Sequence, residues 1–91
     1  MSPEEARRRV AAARVATLAT LTEEGAPHLV PFCFALDGDT LVSAVDHKPK
    51  RTTQLRRLAN VAHDDRAAVL VDEYDERWDR LWWVRLDTSA R

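Results

Sequence analysis

Apolar positions along the chain switch between helical and strand spacing, and each switch falls at turn-forming residues. The first stretch has helical spacing. Ala6, Val10 and Ala13 form a thin apolar stripe, with Arg7, Arg8 and Arg9 off it. Ser2 is placed to cap this helix, and Pro3 occupies the first helical position, where a missing N–H costs nothing. Glu5 completes a Ser-x-x-Glu capping box. So thin a stripe predicts a helix packed on the surface of the domain and not buried within it.

The spacing then shortens to two. Val15 to Leu21 is rich in β-branched residues and stops at Glu23-Glu24-Gly25, a hairpin signal. Pro27 to Leu36 alternates, with His28, Val30, Phe32, Phe34 and Leu36 on one face and Leu29, Pro31, Cys33 and Ala35 on the other. Pro31 has no N–H to give a ladder, which predicts an edge or a bulge at that point. Asp37-Gly38-Asp39 forms a second turn, and Thr40 to Val45 is a third strand. Helical spacing returns after the polar stretch Asp46-His47-Lys48-Pro49-Lys50. Thr52 or Thr53 caps a helix in which Leu55, Leu58, Ala59 and Ala62 share one face, with Arg56, Arg57 and Asn60 turned outward. Asp64-Asp65 ends it. Arg66 to Asp72 is apolar on both faces, as in a central strand, and Arg80 to Leu86 is a fifth strand with Trp82 and Trp83 on opposite faces.

Composition narrows the classes. The 91 residues allow one small domain, 1–91, and the 45% hydrophobic and 32% charged residues are a globular balance. A net charge of −1 predicts no bulk attraction to nucleic acid or anionic membranes. The lone Cys33 excludes an internal disulfide and suits a reducing cytoplasm. No apolar run reaches the ~20 residues of a membrane helix. His28, His47 and His63 lack metal-site spacing, and the acidic run Asp72 to Asp79 lacks a calcium-loop glycine. These readings predict a cytoplasmic protein without a metal.

Certain stretches carry a resemblance. Ala16-Thr17-Leu18-Ala19-Thr20, Gly25-Ala26-Pro27-His28-Leu29-Val30-Pro31-Phe32, Asp46-His47-Lys48-Pro49-Lys50-Arg51-Thr52 and Arg80-Leu81-Trp82-Trp83-Val84-Arg85 occur together and in order. With the order of elements, they resemble the pyridoxamine-phosphate-oxidase-like split-barrel proteins, and most closely the coenzyme F-420-dependent branch of actinobacteria. The resemblance implies a mainly β, FMN-binding-like split barrel: an antiparallel meander, an N-terminal helix, and a helix between strands 3 and 4. It also implies a homodimeric oxidoreductase. Members of this family continue with a further helix and a closing strand, whereas this sequence stops at Asp87-Thr88-Ser89-Ala90-Arg91. Five strands leave a barrel open, with edges that invite another chain. The expectation is therefore a C-terminally short chain that is a fragment or closes by dimerising.

The resemblance singles out two sets of residues. Lys48, Lys50 and Arg51 supply cationic charge and Thr52 and Thr53 hydroxyls at a helix start, the chemistry that grips a cofactor phosphate. His47 can touch the same phosphate. The bare residues by themselves favour a solvated basic loop and a helix cap, and the resemblance turns the balance to the phosphate grip. The strand Val30, Pro31 and Phe32, with Ser43 to Asp46 (Val45 and Asp46 included) beside it, offers a wall and backbone groups for a tricyclic ring. As a bare strand, Pro31 simply blunts an edge. Trp78, Trp82 and Trp83 can stack on a ring, or pack in core and interface.

No acid–base or nucleophile constellation appears, so no catalytic side chain is named; a cofactor ring that transfers hydride needs none. The resemblance orders the cofactors as coenzyme F-420 (deazaflavin) first and FMN second, with a small organic acceptor as substrate. Other readings on this fold are a non-enzymatic flavin, deazaflavin or haem binding protein, and a remnant without activity. A small barrel binding single-stranded nucleic acid through Lys48 to Arg57 is disfavoured by the near-neutral charge and the lack of an aromatic-basic strand.

Overall fold

A computed structural model of the chain describes residues 1–43 and 59–89. Helix α1 (Pro3–Ala12) comes first, followed by strands β1 (Val15–Leu21), β2 (Pro27–Asp37) and β3 (Thr40–Ser43). Residues 59–63 are helical, and β4 (Arg66–Glu73) and β5 (Trp82–Ser89) complete the order. The strands form one antiparallel sheet in the order β3-β2-β1-β4-β5, half of a barrel. The turns are as the sequence predicts: Gly25 and Gly38 take positive φ, +82° and +59°, which a side chain would disfavour.

Period-two alternation decides the core. Even-numbered residues of β1, β2 and β5 and odd-numbered residues of β3 and β4 face inward. Ala16, Phe32, Phe34, Val69 and Val71 are buried there with Val10 of α1. The Phe32 and Phe34 rings stack with centroids 5.6 Å apart.

Three expectations are corrected. Helix α1 is not wholly superficial, because Val10 is 3% exposed and plugs one end of the half-barrel. The helix is tied to both extremes of the strand order. Arg7 donates to Asp39 Oδ1 at 2.8 Å and to the Gly38 carbonyl at 2.7 Å, and the Arg9 guanidinium lies 5.1 Å from the centre of the Trp82 ring. Only half of the capping box forms. Ser2 Oγ accepts from the Glu5 N–H at 3.1 Å, while the Glu5 carboxylate accepts from Arg9 at 2.9 Å instead of turning back. Finally, β5 starts at Trp82 and not at Arg80, because Arg80 N–H bonds the Arg77 carbonyl and prolongs the turn.

Among the described residues Val71 is the most deeply buried large side chain, at 1% exposure. Val71→Ala should cost about 2 kcal/mol of folding stability by urea unfolding, with an unchanged slope. A cost below ~0.5 kcal/mol would mean that the inner face of β4 is not packed.

Candidate functional site

The central hairpin creates the site. Phe34 N–H bonds the Arg14 carbonyl at 3.0 Å, and Thr22 N–H the Ala26 carbonyl at 2.9 Å. Antiparallel pairs alternate, so Phe32, Val30 and His28 turn their backbone groups toward β1, and Leu29, Pro31 and Cys33 turn theirs away. Strand β3 pairs with β2 only from Phe34 to Asp37. Among the described residues, the outer edge of β2 from Pro27 to Cys33 therefore has no strand beside it. Pro31 lies on this edge without a bulge, its register partner Thr17 in an unbroken run. The edge offers carbonyls at Pro27, Leu29, Pro31 and Cys33 but N–H groups only at Leu29 and Cys33.

The named strand residues divide between two faces. Val30 is half-buried and Phe32 buried on the inner face, where Phe32 belongs to the core. Pro31 is exposed on the outer face with Leu29, which is 65% exposed, and Cys33. Ser43 pairs with Phe34, and its Oγ is buried without a hydrogen-bond partner among the described residues. Val45, Asp46, His47, Lys48, Lys50, Arg51, Thr52 and Thr53 lie outside the described residues.

The inner face is apolar through the row Val30, Leu18, Val69 and Leu86. Beyond it, away from α1, the face turns polar. His28 pairs with Thr20, and Thr20 Oγ1 accepts from Asn60 Nδ2 at 3.1 Å. Thr20 and Asn60 are each 3% exposed, and the His28 Nδ1 is buried without a partner among the described residues. This overturns the expected orientation of the helix: Asn60 faces the sheet, while Ala59 and Ala62 are exposed. The small alanines lose little by facing water, and the buried amide gains a partner. Sequence reasoning passed over Thr20 and Asn60 because a polar residue in an amphipathic helix is assigned to solvent.

The tryptophans separate. Trp82 is half-buried beneath Arg9 and donates Nε1–H to Glu73 at 3.1 Å, whereas Trp83 and Trp78 are 64% and 82% exposed. Trp82 thus belongs to the fold. A cleft of about 680 Å³ runs between the end of α1 and β2–β3, past Ala13, Cys33 and Val42. Of the sequence-selected residues that are described, Val30, Pro31 and Phe32, none lines it. Among the described residues no group of three His, Cys, Asp or Glu side chains could hold a metal ion, and no helix is long and apolar enough to cross a membrane.

The join between the helix and β4 is held by charge. Arg66 clasps Asp64 with a side-chain hydrogen bond of 2.7 Å and a backbone one of 3.0 Å, and Asp64 N–H bonds the Asn60 carbonyl at 2.9 Å. The Arg66 guanidinium, then its N–H, lowers the Asp64 carboxyl from 3.8 to about 2. A depressed carboxyl stabilises the fold fully above its ordinary value, and the contribution fades as pH falls through about 2.

A family model for pyridoxamine 5'-phosphate oxidase matches residues 2–91. Among curated proteins, none matches. Solved structures do. A conserved hypothetical protein from Mycobacterium tuberculosis is 26% identical with a TM-score of 0.78, over 98% of this chain and 51% of that one. A FAD-binding protein from Mesorhizobium loti is 25% identical with a TM-score of 0.63, over 84% and 49%. A heme binding protein from Mycobacterium smegmatis is 32% identical with a TM-score of 0.70, over 98% and 36%. The chain thus spans about half the length of the first two and about a third of the last.

Arg66→Gln should return the Asp64 carboxyl toward 3.8, followed by carboxyl-carbon NMR across acid pH. A midpoint that stays near 2 would assign the shift to the backbone N–H alone.

Proposed function

The chain belongs to the pyridoxamine 5'-phosphate oxidase family, and from that premise we propose that it is an oxidoreductase domain for a phosphorylated flavin-type cofactor. Coenzyme F-420 is placed first and FMN second, with hydride passing between the ring and a small organic acceptor in a cytoplasmic homodimer. The observation that carries this reading is the edge of β2 from Pro27 to Cys33, which has no strand beside it among the described residues. A tricyclic ring needs an apolar wall and hydrogen-bonding groups along its rim. The edge supplies outward N–H groups at Leu29 and Cys33 around a donor-free Pro31, with Val30 half-buried beside them. The described residues therefore fit such a ring. When bound, the ring supplies the hydride chemistry; the chain's own residues bind and orient it. Lys48, Lys50 and Arg51 would hold the phosphate, Thr52 and Thr53 would support them, and Val30 to Phe32, with Val45 and Asp46, would back the ring.

The homodimer has its own support. The outer faces of β1 and β2 carry Val15, Thr17, Ala19, Leu29, Pro31, Cys33 and Ala35, with no charged side chain among these central positions. Arg85, Asp87 and Asp72 lie toward the margin, on β5 and β4. An apolar centre with a charged rim is the anatomy of a protein interface.

The M. smegmatis heme binding protein favours a second reading, a non-enzymatic carrier of flavin, deazaflavin or haem on the same fold. Oxidation of reduced cofactor by an artificial acceptor discriminates: turnover supports the enzyme, and stoichiometric binding without turnover supports the carrier.

The first reading is tested by titrating the protein with coenzyme F-420 and FMN in parallel, following tryptophan quenching. Lys50→Ala with Arg51→Ala should weaken binding about 100-fold, since hydrogen bonds to charged groups contribute roughly 1.5–3 kcal/mol each. The circular dichroism spectrum should stay unchanged. Equal affinity of variant and wild type would remove the two residues from the phosphate site.

A further inference from the structure

Strand β5 ends the strand order, and among the described residues it has β4 on one side and no strand on the other. Such an edge presents unpaired N–H and C=O groups, which proteins commonly blunt with proline, lysine or brevity. The margin of β2 carries Pro31, and β3 has only four residues. Strand β5 has eight, Trp82–Ser89, with no proline, glycine or lysine among them. Its inward side chains are also incompletely covered. Trp82, Val84, Leu86 and Thr88 are half-buried, whereas Val69 and Val71, the register partners of Leu86 and Val84, are 2% and 1% exposed. Backbone and apolar row therefore both lack cover at this margin among the described residues.

We propose that a second copy of the chain covers this margin, its β5 laid antiparallel against the first about a two-fold axis at Leu86. Parity and charge select that register. Apolar side chains stay on one face only if even-numbered residues meet even-numbered ones, so the axis passes through a residue. The same parity brings the outward-turned backbone groups of the two strands together. An axis at Arg85 would set that residue against itself, and an axis at Asp87 would do the same there; like charges directly opposite repel. At Leu86 the conflict becomes a match. Arg85 then faces the partner's Asp87, and Asp87 the partner's Arg85, while Leu86 meets its own copy and Val84 meets the partner's Thr88 on the inner face. Within one chain Arg85 and Asp87 pair at 3.4 Å with side chains 65% and 75% exposed. So exposed an ion pair contributes little, and both groups can turn to the partner. This contact lies apart from the outer face of β1 and β2, so a chain using both would form a pair of dimers.

Sedimentation equilibrium over a concentration series tests the register with wild type, Arg85→Glu, Asp87→Arg, and the exchange Arg85→Glu with Asp87→Arg. Each single variant puts like charges at both crossings and should weaken association through β5 about tenfold, with an unchanged circular dichroism spectrum. A one-to-one mixture of the two single variants restores opposite charges at both crossings, and so does the exchange. Both should associate as wild type does. Single variants that associate like wild type would overturn the proposal and leave self-association to the outer face of β1 and β2. A mixture and an exchange that stay weak, or a wild type that remains monomeric throughout, would overturn it too. A wild-type dimer whose single variants are monomers would keep the β5 contact and remove the outer-face one. Amide exchange gives a second readout, in which alternate amides of β5 should be protected only at concentrations where the chain associates. Protection that persists on dilution would mean that the chain's own residues cover the margin, and the proposal would fall.

Discussion

The register between β1 and β2 is closed at one end by the Thr22–Ala26 bond and at the other by the Phe34–Arg14 bond, and it decides which side of every later strand faces inward. A slip of one residue would put Leu29 and Pro31 in the core and Phe32 and Phe34 in water. Because β4 pairs with the opposite edge of β1, and β5 with β4, the same parity propagates to Val69, Val71, Val84 and Leu86. Val10 of α1 can plug the end of the half-barrel only because those side chains converge on it.

The strands and turns were legible from the chain because each follows from local chemistry. Alternation in Pro27–Asp37 separates the faces, and Gly25 and Gly38 mark the two turns that need positive φ. Pro31, which has no N–H for a ladder, falls in the part of β2 that has no β3 partner among the described residues. What escaped the sequence depends on partners distant along the chain. Arg9 captures Glu5 because it is already held over Trp82, and Asn60 faces inward because Thr20, forty residues earlier, offers a hydroxyl. Periodicity weighs a side chain by polarity alone. It cannot register that a buried amide with a partner outranks two exposed methyl groups.

The candidate site was legible in part. Sequence pointed to the Val30–Phe32 strand and to the cationic residues that follow β3, and the latter lie outside the described residues. It did not divide the strand between faces. Val30 and Phe32 look into the half-barrel and Pro31 looks out, so only Val30, half-buried, and the backbone edge combine accessibility with the inner face. The polar end of that face, with His28, Thr20 and Asn60, had no signature in the chain.

Pro31 has a bearing on what can settle along the margin of β2 that has no strand beside it among the described residues. A polypeptide laid against it would find carbonyl acceptors at Leu29, Pro31 and Cys33 but a gap in the donors at the midpoint, so its ladder would be interrupted where it should be strongest. A small planar molecule asks for one or two donors and no continuous ladder. A single imino acid thus makes the margin a poor template for a growing sheet while leaving it serviceable for a guest the size of a ring.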